Sequence, residues 1–114
     1  MIDLQQFCGG GDYYKHLFGM LYTEGVQYLA EQAGAYWLID LVASYQKDPR
    51  VKNNTRLQEF QLWELKVKDG KGVATLREDS DEPIIIQQVF DTDFPLEEIR
   101  LYVEGGVLLL PNEH

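Results

Sequence analysis

Asp40 is the one acid in an otherwise apolar run, Tyr36-Trp37-Leu38-Ile39-Asp40-Leu41-Val42-Ala43. A carboxylate removed from water must find a partner or rise in pKa. Set in a cleft, such a group can act as a general base or anchor a ligand. Its pocket would lie between helices and sheet, lined by Tyr36, Trp37 and Trp63. The same residue also fits a bland role. Tyr36, Asp40, Ser44 and Lys47 recur at helical spacing and form a single polar stripe.

Other reactive side chains are few. Cys8 and His16 could pair as thiolate and base, but Gly9-Gly10-Gly11 lies between them and their spacing fits no metal or protease pattern. No phosphate-loop motif follows the three glycines. One cysteine and two histidines argue against a zinc site within one chain. The carboxylates at Asp79-x-Asp81-Glu82 and Asp91-x-Asp93 could gather a hard cation, yet neither follows a calcium-loop pattern. No metal and no cofactor is expected, and the chain reads more as a binding module than as an enzyme.

Charge is the stronger signal. Residues 1–75 hold nine acids and eight bases, whereas residues 76–114 hold ten acids against Arg77 and Arg100 alone. The net charge of −9 is therefore concentrated in the C-terminal third. Glu78, Asp79, Asp81, Glu82, Asp91, Asp93, Glu97 and Glu98 make up the candidate acidic binding face. Such a face attracts basic protein surfaces and repels phosphates and anionic membranes, so neither nucleic acid nor membrane is expected as a direct partner. Lys47, Arg50, Lys52 and Arg56 form the one basic cluster, suited to meeting the acidic third within the chain or between subunits.

The elements that position these groups read as one domain over residues 1–114: a helical half to residue 46, a polar loop at 47–57 and a sheet half from 58. Thr23 is placed to cap a helix over about 23–33, and Gly34 to end it. A second helix, about 35–46, is apolar around most of its circumference and must be buried against a sheet. Asp12 could cap an earlier helical turn, whose face would be Tyr14, Leu17, Phe18 and Leu21. Strands are expected at about 58–68, 73–78, 84–90, 99–104 and 107–110, with one helical turn near Pro95. In the first of them Phe60 and Leu62 differ in parity from Trp63, Leu65 and Val67, which calls for a bulge or burial on both faces. Helices followed by about five hairpin-linked strands make an α+β fold with an antiparallel sheet. At 45% hydrophobic and 25% charged, the composition suits a globular domain. There is no apolar run of bilayer length and no signal-peptide pattern, and a lone cysteine suits the cytoplasm.

The runs YYKHLFGMLYTEGVQYLAEQAGAYWLIDLVAS, FQLWELKV and TDFPLEEIRLYVEGGVLLLPNEH span most of the chain. Together they resemble a family of small uncharacterised bacterial proteins, found in genomes and mobile elements, that carries only a domain-of-unknown-function label. The resemblance implies a single-domain bacterial protein and supplies no catalytic residues. The leading expectation is an interaction module whose acidic third docks on a basic partner, in its sharpest form a mobile-element inhibitor that mimics nucleic acid. A ligand pocket at Asp40 and a homo-oligomer, such as a homodimer joined by a strand edge or aromatic patch, are the alternatives.

Overall fold

In the computed structural model, which describes residues 13–15, 19–78, 83–89, 92 and 94–113, Thr23 opens the first helix with its own side chain. The Thr23 hydroxyl accepts from the Val26 amide at 3.3 Å, and α1 runs Glu24–Ala33. Gly34, at φ +62°, ends it in the left-handed conformation that costs a glycine little. The chain re-enters helix at once as α2, Tyr36–Tyr45. Both helices thus lie where their caps and periodicity place them.

The stretch expected as a polar loop is instead two short capped helices, α3 (Pro49–Lys52) and α4 (Thr55–Glu59). Asp48 accepts from the Arg50 amide, and Asn54 from those of Arg56 and Leu57. The Asp-Pro and Asn-Asn signals were helix starts, because the same short side chains that make turns also satisfy free amides at an N-terminus.

Among the described residues the sheet has seven strands: β1 (Tyr13–Lys15), β2 (Leu21–Thr23), β3 (Phe60–Lys68), β4 (Lys71–Arg77), β5 (Ile85–Val89), β6 (Glu98–Glu104) and β7 (Val107–Leu109). Their order is β1-β2-β7-β6-β3-β4-β5, antiparallel throughout except for β2 beside β7. The expectation of five strands, wholly antiparallel and preceded by the helices, is corrected in this respect. Two strands come before α1, and the sheet is mixed. Gly19, at φ +91°, lies between β1 and β2, where the chain reverses; Tyr14 pairs with Tyr22 rather than facing Leu21 across a helical turn. Asp12, Leu17 and Phe18 lie outside the described residues. Residues 95–97 form bends, not a helical turn.

The β3–β4 and β6–β7 hairpins turn on Asp69-Gly70 and Gly105-Gly106, all four at positive φ. β3 is central and pairs in unbroken register with both neighbours, so the parity change produces no bulge. Burial on both faces resolves it. Gln61, Trp63 and Leu65 are buried beneath the helices, while Glu64 is buried on the opposite face. Leu29 and Ala30 of α1 and Leu38, Ile39 and Val42 of α2 share one core with Trp63, Leu65, Leu76, Leu101 and Val103. Tyr45 packs on Trp63 at 5.7 Å, and Gln46 exchanges hydrogen bonds with Gln61 at 2.7 and 2.8 Å. These contacts fix which face of the sheet carries α2.

Candidate interaction surface

The polar stripe of α2 faces outward: Tyr36, Asp40, Ser44 and the following Lys47 are all exposed. A cavity between α2 and the sheet does exist, but its lining is Leu38, Trp63, Glu64, Leu65, Ala74, Ile99 and Leu101, without Asp40. An exposed carboxylate needs no buried partner, so the reason for reading a keyed pocket at Asp40 falls away. Tyr36 donates to Glu31 Oε1 at 3.2 Å; local desolvation, followed by the Glu31 carboxylate, raises its phenol pKa.

Of the acidic face, the structure describes Glu78, Glu97 and Glu98; Asp79, Asp81, Glu82, Asp91 and Asp93 lie outside the described residues. Glu78 accepts from Asn54 Nδ2 at 2.9 Å and pairs with Arg56 at 3.4 Å. The Asn54 hydrogen bond, aided by Arg56, lowers its pKa. The basic cluster of residues 47–56 therefore does meet the acidic third, at Glu78. Arg50 is occupied locally, where its side-chain and backbone hydrogen bonds bring Asp48 down to about 2. Glu97 and Glu98 are exposed, with Glu98 3.5 Å from Arg100.

The densest charge cluster was not visible in the sequence. Glu64, with its side chain 5% exposed, lies 3.1 Å from Arg77 Nη1, 3.1 Å from Arg100 Nε and 3.7 Å from Lys66 Nζ. Burial alone would raise its pKa. Hydrogen bonds donated by Arg77 and Arg100, with the charge of Lys66, outweigh burial and hold it below the usual carboxylate range. The only hint in the sequence was an acid inside an apolar strand, FQLWELKV. Register alone could identify its partners: Arg100 is directly opposite on β6, and Arg77 is diagonal on β4. By strand alternation the face that carries Glu64 also carries Lys68 and Lys71, opposite one another, and Glu104.

This cluster changes the charge balance of the C-terminal third. Arg77 and Arg100 are the only bases among residues 76–114, and both are turned to a carboxylate from β3. Beside them β5 is the last strand on that side of the sheet among the described residues. Its sequence, IIQQV, holds no charge, yet Glu78, Asp79, Asp81 and Glu82 precede it and Asp91 and Asp93 follow it. Ile86 on β5 is 64% exposed and Val73 on β4 is 40% exposed.

Among the described residues no group of three or more His, Cys, Asp or Glu side chains could hold a metal. Cys8 and His16 lie outside those residues. No described helix is long and apolar enough to cross a membrane. In comparison with known proteins, the model of a family described as a family of unknown function (DUF6876) matches residues 2–114. No curated protein and no solved structure matches the chain.

Proposed function

We propose that this chain, which belongs to that family of unknown function, is a protein-interaction module whose acidic C-terminal third docks on a basic partner surface. The observation that carries the reading is the use made of Arg77 and Arg100. They are the only bases in residues 76–114, against ten acids, and both are engaged by Glu64, a residue from outside that third. Glu98 also lies near Arg100, and Glu78 pairs with Arg56 from the other part of the chain. The excess of acid in that third, densest in the sequence on either side of β5, supplies a negative field that steers and holds a cationic surface. A basic protein is the favoured partner, with neither nucleic acid nor membrane bound directly. An inhibitor that occupies a nucleic-acid-binding site is the sharpest form of this reading.

The test is capture of partners from the native host on the immobilised chain at low and high salt, beside a variant with Asp79, Asp81, Glu82, Asp91 and Asp93 changed to their amides. A basic protein that elutes as salt screens the charges, and that the variant fails to retain, is the expected outcome. Partners held equally by the variant, or indifferent to salt, would overturn the reading.

A further inference from the structure

We infer that the sheet face carrying Glu64 is a second docking surface, and that its occupant is an acidic amphipathic helix of a partner protein. It is a different surface from the one proposed above, so either reading can fail without the other. Strand register places Val73 between Lys66 on β3 and Gln88 on β5, and Thr75 in the next row between Glu64 and Ile86. Val73 and Ile86 are therefore diagonal neighbours about 7 Å apart. They are two of the three large apolar side chains that stand exposed among the described residues. Lys68 and Lys71 face one another at the hairpin end of β3 and β4, and both are exposed. Like charges directly opposite one another weaken strand pairing. Neither lysine has a carboxylate partner among the described residues. Exposed apolar surface and unpaired positive charge thus share one end of one face.

Charge selects the occupant. On β3, β4 and β6 this face holds Lys66, Lys68, Lys71, Arg77 and Arg100 against Glu64, Glu98 and Glu104, a positive surface on a chain of net −9. Glu64 is saturated and Glu98 lies by Arg100, which leaves the two hairpin lysines to meet an incoming carboxylate. Its shape follows from how sheets are covered, which is by helices that lay an apolar stripe on them. α1 and α2 already do so on the face of Trp63 and Leu65. A helical turn rises about 5.4 Å, and Lys71 lies about 7 Å along β4 from Val73. A helix with apolar side chains on Val73 and Ile86 therefore brings a carboxylate one turn further on to the lysine pair. Nucleic acid suits the face less. Val73 and Ile86 offer no ring for a base to stack on, Phe60 and Tyr102 pack edge-on against each other at 5.0 Å, and a polyanion meets the net charge of the chain. A second copy laid face to face would set lysine against lysine.

The experiment titrates the whole chain with three labelled probes and reads fluorescence anisotropy. The first is an alanine-based helix of about 18 residues with leucines along one stripe and glutamates beside it. The second is a shuffled peptide of the same composition, and the third is oligothymidylate. Each is bound to the native chain, to Lys68→Gln/Lys71→Gln and to Val73→Thr/Ile86→Thr. All four positions are exposed and threonine keeps the β-branch, so both variants should hold the native urea midpoint. The expected result is binding of the acidic helix, weakened about five- to tenfold in the lysine variant and about tenfold or more in the apolar one. The shuffled peptide should bind at least about tenfold more weakly than the helix. Absent binding, or equal binding to the native chain and both variants, would overturn the site. Equal binding of the shuffled peptide would overturn the helix as occupant and leave only charge attraction. Oligothymidylate held more tightly than the helix, and lost in the lysine variant, would make the occupant nucleic acid. A dimer in light scattering that Val73→Thr/Ile86→Thr dissociates would make it a second copy.

Discussion

Changing Glu64 to Gln should cost this protein about 2–3 kcal/mol of stability at neutral pH. The carboxylate is nearly sealed from water and receives charged hydrogen bonds from Arg77 and Arg100, both at 3.1 Å. A hydrogen bond to a charged group is worth about 1.5–3 kcal/mol when its surroundings are dry. Arg77, with its side chain 24% exposed, deserves most of that value. Arg100 and Lys66, 58% and 64% exposed, can turn to solvent, which leaves them about 0.5 kcal/mol or less each. Urea denaturation at neutral pH should therefore show a midpoint lower by about 1 M or more, since the slope for a domain of this size is about 1–3 kcal/mol per M. The pH dependence follows from the depressed pKa of Glu64. Its contribution is complete above the unfolded value of 4.5 and is lost as pH falls through the lower folded value. The two proteins should converge in acid. Replacing Glu64 and Arg77 together by leucine should recover much of the loss, because it removes the stranded guanidinium along with its partner. A neutral-pH loss below about 0.5 kcal/mol, a gap unchanged in acid, or a double variant as unstable as the sum of its parts would refute the reasoning.

Four further outcomes follow from other contacts. Glu113 Oε1 accepts from Thr23 Oγ1 at 2.6 Å and from the Leu110 amide at 3.0 Å, tying the short 3-10 helix after β7 to the start of α1. Glu113→Ala should cost about 1–2 kcal/mol by thermal denaturation. A Cβ at Gly25 would lie 2.7 Å from that same carboxylate, so Gly25→Ala should be costlier in the native background than in Glu113→Ala; equal costs would show that the clash is not with Glu113. Gln61 is fully buried, and its amide contacts Gln46, the Leu57 carbonyl and Trp63 Nε1. Gln61→Leu should therefore lower stability by about 2–4 kcal/mol in a denaturant titration, by leaving several polar partners unmet. Asp40→Asn should change stability by less than about 0.5 kcal/mol and leave partner capture unaltered, since an exposed residue on a helix stripe has little to lose.

What could be read in the chain depended on how local the deciding physics was. Thr23 and Gly34 act on residues within one helical turn, so α1 and α2 were legible to within a residue or two. Asp69-Gly70 and Gly105-Gly106 announce hairpins for the same reason. β1 and β2, with three residues each, are too short for alternation to emerge, and β2 is placed by a parallel neighbour that comes more than eighty residues later. Asp48 and Asn54 were visible as punctuation, but whether such a residue turns the chain or starts a helix depends on what packs beneath it. Here Val51 and Leu57, both fully buried, tie α3 and α4 to the core. Glu64 was the least legible. Asp40 drew attention because its neighbours in sequence are apolar, yet it is exposed; the buried carboxylate was the other one, and its partners are 13 and 36 residues away. Sequence neighbours report burial on a helix poorly when only one stripe is free, and they do not report cross-strand partners at all.

The Glu64 cluster also bears on how a basic partner would approach. Six of the ten lysines and arginines belong to strands or strand ends of the sheet: Lys15, Lys66, Lys68, Lys71, Arg77 and Arg100. Five of them, all but Lys15, belong to the face around Glu64 by contact or by alternation. A cationic surface laid flat on that face would meet these bases, with Glu64 already saturated by three of them. Neutralising Lys68 and Lys71 should therefore leave capture of a basic partner unchanged or slightly tighter, and a marked loss of affinity in that variant would mean that the partner sits on this face.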